Sequence, residues 1–137
     1  MSYAGDVTPE QAWAALSDRP DAVLVDVRTA AEWSYVGLPD LRSVGKEVVR
    51  VEWQRWPDGA VNTSFTDQLT QLGVGQDAPV FFLCRSGVRS VAAAEAAAAA
   101  GWSHAHNVLE GFEGPHDEEH HRTVSGWKVA GLPWVQG

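Results

Sequence analysis

The chain has 137 residues, 45% of them hydrophobic, a formal net charge of −8 and a single cysteine. That length and apolar content suit one compact domain over residues 1–137, built around one core. The acidic balance repels phosphates at long range and argues against nucleic acid or an anionic membrane as the main partner, and a lone cysteine permits no internal disulfide.

The opening "MSYAGDVTPEQ" has neither a basic segment nor an apolar one, so it does not read as a secretory signal. No apolar run approaches the roughly 20 residues needed to span a bilayer. The expectation is a soluble, cytoplasmic protein. Thr8-Pro9-Glu10-Gln11 predicts a helix start, with Thr8 as cap, Pro9 in the first turn and Gln11 reaching back as in a capping box. Ala12, Trp13 and Leu16 give that helix an apolar face until "SDRPD" ends it. "AVLVDV", Ala22 to Val27, is short and β-branched, as a strand buried on both faces should be. Thr29-Ala30-Ala31-Glu32 repeats the capping pattern and predicts a short helix at once. "VGLPDLRSVGK" reads as loop and "EVVRVEW" as a strand, while "RWPDGAVNTS" reads as an exposed turn before a helix over about Phe65 to Leu72.

Gly73 and Gly75 end that helix, and "APVFFLC" is the next buried strand. The alanine tract behind it is helical by propensity and is stopped by Gly101. Its small side chains let a helix lie close to a sheet, with Glu95 on the wet side. "AHNVLEG" is a last short strand, and "VSGWKVAGLP" predicts a short terminal helix. Strands alternating with helices imply an α/β fold whose sheet is mostly parallel, with helices on both faces. Ligands of such sheets sit beyond the carboxyl ends of the strands. Asp26, Cys84 and Glu110 each fall at such an end.

Cys84 lies in "VFFLCRSGVRS", directly before a turn that opens a helix. The unpaired amides of that helix start and its macrodipole present positive potential to the loop. Gly87 lets the backbone amides from Arg85 through Ser86 and Val88 converge as an anion-binding nest. Arg85 and Arg89 add fixed charge and can chelate an oxyanion. This setting favours a thiolate, the nucleophilic form of cysteine, and recruits an anionic substrate. Ser86 and Ser90 offer further donors, Ser90 being placed to serve the helix start. The alternative is a core thiol, which would leave the surrounding Arg-Ser-Gly-Val-Arg segment without a purpose.

The blocks "LVDVRTAAEW", "VFFLCRSGVRS", "NVLEGFEGP" and "GWKVAGLPW", in that order and over nearly the whole chain, resemble a single-domain rhodanese. The resemblance implies the rhodanese-like fold, a central parallel sheet of about five strands wrapped by helices. It implies a sulfurtransferase in which Cys84 takes a sulfane sulfur from a small anionic donor such as thiosulfate. The loop from Arg85 to Arg89 would cradle the persulfide, and cyanide, a thiol or a protein would accept the sulfur. No cofactor or metal is implied. A sulfur-carrying or regulatory module with a protein acceptor is the rival from a different class. A cysteine-dependent phosphatase or arsenate reductase fits less well, since the phosphatase signature has five residues between cysteine and arginine. Only four separate Cys84 from Arg89 here.

The chain departs from the family pattern at "YVGLPDL", where many rhodaneses carry a His-Ile-Pro-Gly-Ala block, and has longer segments near 43–64 and 115–123. Asp26 occupies the family's aspartate position and either orients Arg89 and the loop amides or satisfies backbone donors at its own turn. Arg28 is expected in a structural ion pair. Glu110 and Gly111 resemble a second wall of the site, with Gly111 making a tight turn. His116, His120 and His121 in "PHDEEHH" are read as a solvated loop rather than a metal site. Trp53, Trp56 and Trp134 lie beside polar turns and are candidates for a pocket rim.

Overall fold

The computed structural model describes residues 3–30, 33, 38–54, 60–84, 88–109, 112, 127 and 132–135. Five strands, β1 (Gly5–Val7), β2 (Val23–Asp26), β4 (Val49–Arg50), β5 (Val80–Leu83) and β6 (Ala105–Val108), form one parallel sheet in the order β1-β6-β5-β2-β4. A second ladder of two short antiparallel strands joins β3 (Leu38–Pro39) to β7 (Trp134–Val135). The helices are α1 (Pro9–Asp18), α2 (Phe65–Gln71) and α3 (Val88–Ala99), with one turn of 3₁₀ helix at Arg42–Val44. This is the α/β architecture expected from the alternation of elements, and its five parallel strands agree in number with what the resemblance implies.

The two faces of the sheet follow from the two-residue period of a strand. Val25, Val27, Val80, Phe82 and Cys84 point to one side, where they meet Phe65 and Leu69 of α2 and Ala93, Ala94 and Ala97 of α3. Leu24, Phe81, Leu83 and Val108 point to the other, against Ala12 and Leu16 of α1, Leu41 and Trp127. All four residues of β5 are buried, so an alternating polar pattern is impossible there and the strand reads as a continuous apolar run. Ala93, Ala94 and Ala97 are fully buried while Glu95 is exposed, which is the close helix–sheet contact that the alanine tract predicts.

The helix start at Thr8 is built as its sequence predicts. Gln11 N donates to Thr8 Oγ1 at 3.1 Å, and Thr8 N donates to Gln11 Oε1 at 2.9 Å. "EVVRVEW" shortens to two paired residues, Val49 and Arg50, against Val25 and Asp26. The stretch read as loop before it contains β3 and the 3₁₀ turn. The edge strand β1 has no strand signature in "AGDV"; pairing with β6 alone makes it a strand. Ala30 and Trp33 are helical, and Trp33 N donates to Thr29 O at 3.1 Å. Ala31 and Glu32, Trp56 with its turn, His116, His120, His121 and most of the expected terminal helix lie outside the described residues.

Sheet order reverses between β2 and β5: the chain runs from β2 outward to β4, then returns to the opposite side of β2 for β5 and β6. Connections that diverge in this way open a crevice at the carboxyl ends of the two central strands. Among the described residues no helix is long and apolar enough to cross a membrane.

His106 in β6 shows what sheet burial does to a titratable group. Its ring stacks on Phe81 with centroids 5.1 Å apart, and its buried Nδ1 has no hydrogen-bond partner among the described residues. Desolvation, with a smaller contribution from His104, holds its pKa below the usual histidine value. The unfolded imidazole therefore takes a proton at a higher pH than the folded one. Stability attributable to His106 is intact above about pH 6.5 and is lost as pH falls from there through the depressed folded value. Chemical denaturation of His106→Gln across this range should show a shallower acid-side loss than the wild type; an unchanged slope would contradict the assignment.

Candidate active site

Cys84 follows the last residue of β5 at the crevice, and α3 begins at Val88. The thiol is 1% exposed and belongs to the buried cluster beneath α2 and α3. The period of β5 turns Cys84 to the same face as Val80 and Phe82, toward the first turn of α3.

One polar contact of this buried sulfur leads toward the edge of the sheet. Cys84 Sγ lies 3.3 Å from Ser90 Oγ, on the first turn of α3. Ser90 Oγ donates to Asn107 Oδ1 at 2.5 Å, and Asn107 Nδ2 donates to Asp6 Oδ1 at 3.0 Å. Tyr3 completes the line, its hydroxyl donating to Asp6 Oδ1 at 2.7 Å. That bond is the main reason the Tyr3 pKa is raised, with burial and the Asp6 charge adding to it. Ser90 and Asn107 are buried, so this line crosses from the thiol through the β6–β1 edge to the surface. Ser90 thus directs its hydroxyl to Asn107 rather than to the amides of the helix start.

Asp26 sits on the other side of the crevice, at the end of β2, and is fully buried with Arg28. Arg28 Nε donates to Asp26 Oδ1 at 2.9 Å and Nη2 to Oδ2 at 2.7 Å, a two-point pair. Asp26 Oδ1 also accepts from the backbone N of Arg28 at 3.1 Å, satisfying a donor at its own turn. The carboxylate is thus engaged by Arg28, the ion pair expected for that arginine. The guanidinium lies 4.3 Å from the centroid of the Phe112 ring. Phe112 N in turn donates to the Cys84 carbonyl at 2.8 Å. Asp26 and Arg28 therefore act on the cysteine at one remove: they hold the ring whose backbone closes over it. Trp134, 40% exposed, packs edge-on against Phe112, which places one of the three rim tryptophans beside the site. Trp53 instead packs edge-on against Phe65 in the core.

Among the candidate residues, the structure brings Cys84, Ser90 and the start of α3 together, and sets Asp26 behind Phe112. Arg89 is half-buried on the first turn of α3. Arg85, Ser86, Gly87, Glu110 and Gly111 lie outside the described residues, as does the side chain of Val88. Sequence reasoning missed Asn107 and Asp6. The signal was present: an amide in the middle of an otherwise buried strand must find a partner.

With this geometry in place, the relatives are consistent with one another. Rhodanese-like domain-containing protein 4 of Arabidopsis thaliana chloroplasts is 25% identical over 133 residues, 96% of this chain and 26% of that protein. The polysulfide-sulfur transferase homodimer of Wolinella succinogenes shares the fold, with a TM-score of 0.65 at 20% identity over 96% of this chain and 78% of that one. The chain is a rhodanese-like protein. More narrowly, residues 4–137 match the family model of the STR4 middle domain, and the chain belongs to that family. The uncharacterized protein RC0915 of Rickettsia conorii is 36% identical over 132 residues, covering 94% of this chain and 95% of that one. The crystal structure of Rv0390 from M. tuberculosis superposes with a TM-score of 0.92 at 57% identity, over 99% of this chain and 100% of that one.

The Asp26–Arg28 pair yields a stability prediction. Removing one partner leaves a buried charge uncompensated, which costs about 3–5 kcal/mol, whereas removing both is far milder. Denaturant unfolding should therefore rank Arg28→Met as severely destabilised and the double variant Asp26→Leu/Arg28→Met as closer to wild type. A double variant worse than the single one would show that the pair is not a closed electrostatic unit.

Proposed function

We propose that the protein is a sulfurtransferase that carries a sulfane sulfur on Cys84, from a small anionic donor such as thiosulfate to a thiophilic acceptor. The observation that supports this most is the position of the chain's one thiol: at the carboxyl end of a central strand, at the switch point of a rhodanese-like sheet, at the start of α3. The rhodanese-like family membership points the same way.

The chemistry is a double displacement. The Cys84 thiolate attacks the outer sulfur of thiosulfate, forming a Cys–S–S bond as the donor's own S–S bond breaks. Sulfite leaves with the electron pair of that bond. An acceptor such as cyanide or a thiolate then attacks the terminal sulfur, and the Cys84 thiolate departs. No external oxidant or reductant is needed. In this reading Arg85 and Arg89 neutralise the sulfonate, and the loop amides from Ser86 to Val88 stabilise the negative terminal sulfur. Leu109 and Trp134 are exposed, and Trp134 packs against Phe112 beside the site. They favour, as a second reading, a protein acceptor that docks apolar surface there, with free cyanide a poor substitute.

Mass spectrometry after thiosulfate treatment tests the first reading. One sulfur should be added to the wild type, be removed by cyanide and be absent in Cys84→Ala; a persulfide that survives that substitution, or none in the wild type, sinks the proposal. The two arginines should separate kinetically. Arg85→Ala, which loses one charge-assisted contact to the donor, should raise the KM for thiosulfate by about tenfold with little change in kcat. Arg89→Ala should lower kcat as well, because its residue opens α3 and supports the loop. Identical, purely KM-type losses in both variants would contradict that division.

A further inference from the structure

A cavity of about 330 Å³ opens at the β4 edge of the sheet, and neither Cys84 nor Ser90 lines it. Its size is at the lower end of small-molecule sites, about 300–1,000 Å³. Its walls include Arg50, Val51 and Glu52 from the edge, Trp33 from the helical turn after β2, and Gln68 and Leu72 from α2 and its end. The pairing with β2 continues past Arg50, through Val51 N to Asp26 O at 3.1 Å and Trp53 N to Val27 O at 3.0 Å. The chain is therefore extended here, and Arg50 and Glu52 leave it on the same side. They carry opposite charges, yet among the described residues neither takes part in an ion pair. Each is engaged elsewhere. Glu52 Oε2 accepts from Ala30 N at 2.9 Å, and the Arg50 guanidinium lies 5.8 Å from the centroid of the Trp33 ring. The orientation of Gln68 follows from its neighbour. Asn62 Nδ2 donates to Glu52 O at 2.8 Å and Asn62 Oδ1 accepts from Ser64 N at 3.1 Å. Gln68 must then present Oε1 to Asn62 Nδ2, at 2.7 Å, and its amino group is the end without a partner among the described residues. Trp33 Nε1 is buried and likewise lacks a partner among them. The cavity thus combines uncommitted donors, one carboxylate, and apolar surface from the Trp33 ring and from Leu72, which is 57% exposed.

We propose that this cavity binds a small zwitterion, a free α-amino acid with an apolar side chain. Arg50 and the Gln68 amino group take its carboxylate, the second oxygen of Glu52 takes its ammonium, and Leu72 and the Trp33 ring cover its side chain. A simple anion fits less well, because Glu52 repels it and the chain carries a net charge of −8. A simple cation meets the Arg50 charge. A zwitterion has no net charge to be repelled and answers both side chains at once. The site is separate from the thiol, and its assignment stands whether or not Cys84 carries sulfur.

The test is titration calorimetry of the full chain with a panel of free L-amino acids that have apolar side chains. The N-acetyl and amide derivatives of whichever binds most tightly are then titrated in the same way. The free amino acid should bind saturably. Acetylation removes the ammonium charge and amidation removes the carboxylate, so each should weaken binding about tenfold or more, the worth of one charge-assisted contact. Two variants locate the two ends of the ligand. Glu52→Gln keeps an acceptor for Ala30 N; it should weaken the free amino acid by a similar factor and leave the N-acetyl derivative unchanged. Arg50→Gln should weaken the free amino acid and leave the amide unchanged. The Trp33 indole N–H resonance, assigned by its loss in Trp33→Phe, should shift as the ligand saturates. Absence of saturable binding across the panel, a derivative that binds as tightly as its parent, variants that bind all three forms as the wild type does, or an unmoved Trp33 resonance would overturn the proposal. None of these readouts involves sulfur transfer, so a wild type that takes up no persulfide leaves them untouched.

Discussion

A parallel sheet covered by helices on both faces has no dry place for charge except at the ends of its strands. Leaving a polar group of this sheet without a partner costs stability, and two buried ones, Asp26 and Asn107, show two ways of finding one. Asp26 closes on Arg28 two residues away in a fully buried pair. Asn107 reaches sideways, to Ser90 on α3 and to Asp6 on the edge strand. The crevice at the β2–β5 switch point lies between these two solutions, and Cys84 stands in it touching both. Its carbonyl is held by the Phe112 amide beneath the Arg28 guanidinium, and its sulfur by Ser90.

Much of this was legible in the residues themselves. The apolar runs around Val25 and Phe82, the cap at Thr8 and the alanine face of α3 each carry a local physical signal, and each formed the element it predicts. Cys84 at a strand end followed by a helix was legible for the same reason, since a change of hydrophobic period marks the turn between them. What could not be read was whatever depends on a neighbour distant in sequence. Strand β1 exists because β6 offers it an edge, and β3 because residues 134–135 return to it; neither has a signature of its own. Asp26 posed a choice between Arg89 and its own turn that only the position of Arg28 decides. Asn107 pairs with Asp6, 101 residues away, a separation across which no motif extends.

The site also reconciles two demands that the sequence alone set against each other. A nucleophilic cysteine needs positive potential and access to substrate, while a cysteine at the end of a buried strand belongs to the core. Here the thiol is a full member of the core cluster, yet its sulfur also lies against the Ser90 hydroxyl. Burial protects the sulfur from indiscriminate oxidants, and the helix start keeps positive potential close by. Packing and chemistry are assigned to opposite sides of one side chain.

Strand β1 is three residues long and, among the described residues, has β6 as its one neighbour in the sheet. A strand so placed is the first to leave when a sheet opens locally, long before the whole domain unfolds. When it leaves it takes Asp6 and Tyr3 with it, although Cys84 lies in the best-protected strand two positions inward. The sulfur thus sits beside a fully buried central strand, while Asp6, at the far end of its line of hydrogen bonds, sits on the edge strand. Fraying at the margin of the sheet becomes an event felt at its centre.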